Sequence, residues 1–244
     1  MEPLVTERRV RRIRHELKLR SLHVLRVEHP HPSLARVVLG GEDLADFVSL
    51  SFDDHVKLFV PDGAGGEARR DYTPQAFDAA RRELTIEFAL HGDGPATRWA
   101  RQAAPGQTLR VGGPRGSMII DTDLDWHLLA GDACALPAIR RRLAELPASA
   151  RVQVLALADD AHELALPTSA ARMTVQAFHN ADAWLAALAQ AVPAHGEGHV
   201  WCAGEASLMT RARQSLQAAG VATGAMRVAA YWQRGQSNDQ APQA

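Results

Sequence analysis

The feature that most constrains this chain is a change of pattern near Trp126. Before it, from Leu19 to about Thr122, short alternating segments are broken by turn residues, the pattern of an antiparallel barrel or sandwich. Arg36–Gly40, His55–Val60, Glu83–Leu90 and Thr108–Val111 are the expected strands, and the glycine-rich stretch Pro61–Glu67 is the expected hairpin tip. After Trp126, apolar runs alternate with helical stretches. His127–Gly131 precedes Pro137–Leu146, Val152–Ala158 precedes the short polar Asp159–Leu164, Met173–Phe178 precedes Ala181–Val192, and His199–Gly204 precedes Ala206–Ala219. Met226–Trp232 is the expected closing strand. Repeated strand-then-helix units require a parallel sheet with helices on its faces, and such sheets take ligands at the carboxyl ends of their strands.

The expected division is a basic arm over 1–18, a barrel over 19–122, an α/β domain over 123–235 and a disordered polar tail over 236–244. With 27 Lys+Arg against 28 Asp+Glu, no overall charge draws the chain to nucleic acid or an anionic membrane, so any charged ligand must be met locally. The basic run Arg8 to Arg20 is expected to be a solvated arm or helix, and Arg140, Arg141 and Arg142 to mark an exposed helix face. Cys134 and Cys202 lie far apart in apolar stretches, which argues against a disulfide framework or a four-ligand zinc site. His29-Pro-His31 has no companion ligand and is expected to be a structural loop. No apolar run approaches the roughly 18 residues that span a bilayer. The expectation is a cytoplasmic protein with neither nucleic-acid binding nor membrane insertion.

Several segments carry residue types suited to a nucleotide-like cofactor. Arg69-Arg-Asp-Tyr-Thr-Pro74 offers a guanidinium, a planar ring and a hydroxyl, and in a strand Arg70 and Tyr72 share a face. A flavin would use all three: phosphate on Arg70, ring on Tyr72, and the Thr73 hydroxyl beside the redox nitrogen. An exposed strand end with ordinary solvation fits the same residues. His91-Gly-Asp-Gly-Pro-Ala-Thr-Arg-Trp99 turns into a helix at Pro95, whose free N–H groups suit a pyrophosphate. Gly112-Gly-Pro-Arg-Gly-Ser117 is a second close-approach loop, with Arg115 adding charge. Gly131-Asp-Ala-Cys-Ala-Leu-Pro137 opens a helix where a dinucleotide pyrophosphate would sit, without the Gly-x-Gly-x-x-Gly fingerprint. Cys134 there is expected to be a small core residue. Cys202-Ala-Gly-Glu205 ends a strand at the same edge of the sheet, with Arg211 and Arg213 beyond it.

In order and spacing these segments resemble the siderophore-interacting flavoproteins, NADPH-dependent ferric-chelate reductases of ferredoxin reductase-like architecture. The resemblance covers nearly the whole chain. It rests on His55-Val-Lys-Leu58, Arg70-Asp-Tyr-Thr73, His91-Gly-Asp-Gly-Pro-Ala96 with Trp99, Pro105-Gly106, Gly112-Gly-Pro-Arg-Gly-Ser117, Gly131-Asp132 with Ala135-Leu-Pro-Ala138, Ala203-Gly-Glu205, and Tyr231-Trp232 with Gly235. It implies an antiparallel FAD-binding β-barrel followed by a parallel-sheet NAD(P)-binding domain. Arg70, Tyr72 and Thr73 would lie at the flavin and ribityl phosphate, with Tyr72 and Thr73 at the reacting centre. Gly94, Pro95 and Ala96 would hold the pyrophosphate, with His91, Trp99, Gly116 and Ser117 on the same cofactor. Tyr231 and Trp232 would lie near the cofactor, and Asp132 and Glu205 would line the nicotinamide cleft. Two departures stand out. Gln75 occupies the place of an arginine that would contact phosphate, and Ala133-Cys134 replaces Glu-Thr after Asp132.

The function this implies is hydride transfer from NADPH or NADH to FAD, then single electrons to a ferric siderophore or other ferric chelate. A ferredoxin is the other donor compatible with the altered loop. Because ferric siderophores are often anionic, Lys57 and Arg115 are expected to make a locally basic substrate site. The competing readings are a general flavin or quinone reductase, a non-catalytic siderophore-binding module, and nucleic-acid binding through the basic arm.

Overall fold

In the computed structural model, which describes residues 9–90, 92–158 and 164–234, the alternating half forms a seven-stranded antiparallel sheet. Its strands are β2 (Leu19–His31), β3 (Leu34–Gly40), β4 (Val56–Pro61), β5 (Glu67–Tyr72), β6 (Pro74–Asp78), β7 (Glu83–Ala89) and β8 (Thr108–Gly112), in the order β5-β4-β8-β2-β3-β7-β6. The two edge strands, β5 and β6, are separated in sequence by Thr73 alone. A flat sheet cannot satisfy that connection. The sheet therefore curls until its edges meet at Thr73, which is 6% exposed. Inward residues fill the curl: Leu22, Val37, Leu58, Val60, Ile86, Phe88 and Val111 are buried, and α1 (Pro95–Gln102) closes it with Ala96 and Ala100.

The α/β half is a five-stranded parallel sheet in the order β12-β11-β10-β13-β14, where β10 is Trp126–Asp132, β11 Arg151–Leu157, β12 Arg172–Phe178, β13 Gly198–Glu205 and β14 Met226–Trp232. Both of its faces are covered, as a parallel sheet requires. On one side Leu129, Val152, Val154 and Trp201 meet α2 (Leu136–Glu145). On the other Leu128, Ala130, Val200 and Cys202 meet α3 (Ala181–Gln190) and α4 (Ala206–Ala218).

The structure corrects three expectations. Val10–Arg14 is neither solvated arm nor helix but a strand, β1, paired antiparallel with β9 (Gly116–Ile120). His29-Pro-His31 ends β2 and is not a loop. Arg140, Arg141 and Arg142 do not mark an exposed face, for their side chains are only 4%, 11% and 3% exposed. Arg140 pairs at 2.6 Å with Glu87 of β7, whose side chain is fully buried, and donates to Leu164 O. Arg141 donates to the Ser49 hydroxyl and to the carbonyls of Ser49 and Pro74. Arg142 donates to the carbonyls of Ile120 and Asp121 and lies over the Phe52 ring. One helix thus rivets the two halves together, and Phe52 inserts into the α/β core edge-on to Trp201 at 5.3 Å.

At the end of the parallel sheet opposite its carboxyl edge, His127 and His199 are register partners on β10 and β13. Burial is the largest cause that pushes His127 down to about 4 and His199 down to about 3, with the Arg142 charge acting in the same direction. The unfolded chain, with ordinary imidazoles, binds more protons than the folded one between those values and about 6.5. Stability is therefore complete above about pH 6.5 and falls as the pH drops, by up to about 2.7 kcal/mol per pH unit for two protons. Urea unfolding of His199→Gln across pH 4 to 6 is expected to show about half the wild-type slope; an unchanged slope would contradict the assignment.

Candidate flavin and nucleotide site

Tyr72 ends β5 with its ring half-buried, centred 4.6 Å from Phe88, which in turn lies 5.4 Å from Trp99 on α1. Burial raises the phenol well above its ordinary value, so the ring acts as a neutral surface. Arg70 lies two residues earlier on the same strand and bonds the Arg69 carbonyl at 2.7 Å. The start of α1 supplies the complement. Gly94 is its N-cap and provides no side-chain acceptor, Pro95 needs none, and a side chain on Gly94 would meet nothing within 4 Å. An uncapped helix start open on that side fits a pyrophosphate. His91 lies outside the described residues.

The carboxyl edge of the parallel sheet forms the facing wall. The chain runs from β10 to β11 and β12 in one direction and then to β13 and β14 in the other, so the crevice between the ends of β10 and β13 is the topological switch point. Asp132 sits there as a hub. Its Oδ1 accepts from Cys134 N at 2.9 Å, and its Oδ2 accepts from Glu205 N at 2.9 Å and Trp232 Nε1 at 2.8 Å. Glu205 caps α4 through Leu208 N at 3.0 Å, and its bond with the Ser207 hydroxyl is the main cause that lowers its carboxyl. Gly131 is dictated by close approach, because a Cβ there would come within 2.2 Å of Ala203 O. Arg141 of α2, the helix that follows Cys134, donates to Pro74 O at 2.9 Å beside the barrel seam, which brings barrel and sheet together at one place. Burial pushes the Cys134 thiol up to about 12, so it is not a thiolate nucleophile.

Tyr231 and Trp232, on β14, reach the same cleft. The Tyr231 phenol donates to Asp53 Oδ1 at 2.7 Å, which ties β14 to the segment before β4. Arg227 Nε reaches Asp53 Oδ2 at 3.2 Å. Asp53 is a residue that the motif reading missed. Its available signal was a pair of carboxylates directly following the apolar Phe52.

Gly116 and Ser117 begin β9. Gly116 passes so close to β1 that a Cβ would meet Ile13 O at 2.5 Å. The buried Ser117 hydroxyl is engaged by Asp54 Oδ2 at 2.7 Å and His15 Nε2 at 2.8 Å. Their contacts in the fold anchor β1. Lys57 on β4 pairs with Asp71 at 2.7 Å and is a register partner of Gly112, so it borders the loop that carries the exposed Arg115. Arg211 pairs with Asp182 at 2.5 Å, and Arg213 donates to Val228 O at 2.6 Å.

Both halves of the chain are similar to known proteins. Residues 124–235 match the siderophore-interacting protein family, and residues 23–69 and 66–118 match the siderophore-interacting FAD-binding domain. The chain is 36% identical to the NADPH-dependent ferric-chelate reductase of Escherichia coli K12, over 93% of this chain and 98% of that protein. A solved siderophore utilization protein from T. fusca superposes with a TM-score of 0.84 at 37% identity, covering 94% of this chain and 98% of that one. Phthalate dioxygenase reductase, at 16% identity and a TM-score of 0.64 over 90% of this chain and 70% of that one, shares the ferredoxin reductase-like fold.

Proposed function

The chain belongs to the siderophore-interacting protein family, and from that premise we propose that it is an FAD-dependent NADPH:ferric-chelate oxidoreductase. The observation that carries this reading is that the barrel seam at Tyr72, Thr73 and Pro74 meets the switch-point side of the sheet: Arg141 of α2, just past Asp132 and Cys134, donates to Pro74 O at 2.9 Å, and Tyr231 of β14 donates to Asp53 at 2.7 Å. FAD, when bound, supplies the step from a two-electron hydride donor to a one-electron ferric acceptor.

Arg70 and the start of α1 at Gly94, Pro95 and Ala96 would hold the phosphates. Tyr72, backed by Phe88 and Trp99, would give the ring a flat apolar support, and Thr73 would face its redox nitrogen. Asp132, Glu205 and Trp232 would border the nicotinamide nucleotide. Gln75 cannot supply the charge of an arginine, so Arg70 and the helix start carry the phosphate contacts in this reading. The iron arrives with its own ligands and needs no protein-bound metal site. Among the described residues no helix is long and apolar enough to cross a membrane. Dependence on NADPH, with both cysteines unpaired, favours a cytoplasmic setting.

Lys57 and Arg115 would attract an anionic ferric chelate. Lys57→Gln and Arg115→Gln are each expected to raise the KM for an anionic ferric chelate several-fold with kcat little changed, and more at low ionic strength. Unchanged KM values would remove both residues from the substrate site. The functional assay is reconstitution with FAD followed by trapping of released Fe(II) with a ferrous chelator, under NADPH and separately under reduced ferredoxin. Turnover of a quinone with a higher kcat/KM than any ferric chelate would favour the general reductase, and absence of flavin binding would favour a binding module.

A further inference from the structure

The loop that carries Arg115 is held by the link between β1 and β2. His15 grips it twice: its backbone N–H donates to Arg115 O at 2.9 Å, and its ring nitrogen Nε2 lies 2.8 Å from the Ser117 hydroxyl. Further along the link, Lys18 O accepts from Gly113 N at 2.9 Å, and the buried Arg20 at the start of β2 donates to Gly113 O at 3.0 Å. Ser117 is fixed in its turn. Its buried hydroxyl accepts from Leu50 N at 3.2 Å and donates at 2.7 Å to Oδ2 of Asp54, which is also buried. That same oxygen accepts from the Ser49 hydroxyl at 2.9 Å, and the Ser49 hydroxyl receives Arg141 of α2 at 2.7 Å. The His15 ring is therefore the last member of a side-chain series that runs from the α/β half to the Arg115 loop. Arg115 itself is exposed, and among the described residues no carboxylate pairs with it. The tethers fasten the backbone on either side of Arg115 and leave its side chain free.

We propose that His15 is a positioning residue for the substrate: it fixes Arg115 where its charge meets an anionic ferric chelate, and so sets a preference for anionic over neutral chelates. A guanidinium on a loose loop must lose conformational freedom when it meets a ligand, whereas one on a fastened loop has less to lose. The inference rests on the placement of Arg115 at the substrate site proposed above. It adds a residue that need not touch the chelate, and that lies before the stretches matching the FAD-binding domain, which begin at residue 23.

The test is steady-state kinetics of the FAD-reconstituted protein with two acceptors, anionic ferric-EDTA and the neutral ferric acetylacetonate. His15→Leu occupies the space of the ring but offers Ser117 no polar atom. It is expected to raise the KM for ferric-EDTA about threefold, within the range for one lost hydrogen bond, and by no more than Arg115→Gln does. Its kcat, its FAD affinity and its KM for ferric acetylacetonate should match those of the wild type. His15→Gln, whose amide can take either hydrogen-bonding role, should restore the KM for ferric-EDTA. In an Arg115→Gln background His15→Leu should have no further effect, a non-additivity that general damage around β1 would not give. His15→Ala carries the test if His15→Leu does not fold. An unchanged KM in His15→Leu, an equal rise for the neutral chelate, or an equal rise without the Arg115 guanidinium overturns the inference and leaves the reductase reading intact. An unchanged KM in Arg115→Gln overturns the inference together with the placement of Arg115, and a wild-type protein that reduces neither chelate overturns the reductase reading as well.

Discussion

Glu87→Ala is expected to lower the unfolding free energy by about 3–5 kcal/mol, the usual result of removing one partner from a buried ion pair. The Glu87 side chain is fully buried, and it holds Arg140 at 2.6 Å and Arg36 at 2.8 Å. Arg36 is one-third exposed and can turn to water, so most of the cost falls on the buried Arg140, which loses its carboxylate partner. Arg36→Ala is accordingly expected to cost no more than about 1 kcal/mol. Replacing both partners at once, as Glu87→Leu with Arg140→Leu, should recover most of the loss, because no buried charge is then left alone. Urea unfolding of the three variants checks the pattern. A small loss in Glu87→Ala would mean that α2 and β7 are not held by this pair. Since the pair joins β7 of the barrel to α2 beside the Asp132 hub, it also bears on how firmly the two walls of the cleft are set.

Tyr72→Ala is expected to weaken FAD binding by about 5- to 150-fold, the equivalent of about 1–3 kcal/mol for a lost stacking surface. The ring is already supported on one side by Phe88, whose own neighbour is Trp99, so it needs little reorganisation to receive a planar partner. Tyr72→Phe keeps that surface and should retain most of the affinity. This comparison separates stacking from general damage to the barrel, since the hydroxyl is absent in both variants and the ring in only one. Full cofactor occupancy in Tyr72→Ala, measured by flavin fluorescence quenching, would contradict the proposed ring position.

Much of the architecture was legible because burial leaves a period in the sequence. Strands β4 and β7 alternate, and β10, β11 and β13 are apolar runs buried on both faces, as a parallel sheet demands. Strand β1 left no such mark. Val10-Arg-Arg-Ile-Arg14 is mostly exposed, and it is extended only because β9 pairs with it, a tertiary influence that outweighs local preference. The arginines of α2 were illegible for a related reason. Three consecutive guanidiniums suggest a solvated helix end, and their partners, including Glu87, Ser49, Pro74 and Ile120, lie 22 to 92 residues away in sequence.

Within the site, the order of motifs carried the family assignment, which the comparisons bear out. Motif order could not show that Asp132 and Glu205 are occupied with capping helix starts, or that Asp53 joins Tyr231 at the seam. Those facts depend on how strand ends distant in sequence close against one another. No local spacing encodes that closure.

The central claim is that one chain carries electrons from a nicotinamide nucleotide through FAD to a ferric chelate, and an anaerobic absorption titration tests it most directly. The FAD-reconstituted protein is mixed with NADPH and then with a ferric chelate while the visible flavin bands are followed. The account predicts that the bands bleach with NADPH and return with the chelate, with Fe(II) formed at two per flavin reoxidised. Bands that bleach but do not return on adding ferric chelates, or a protein that acquires no flavin bands after incubation with FAD, would contradict it.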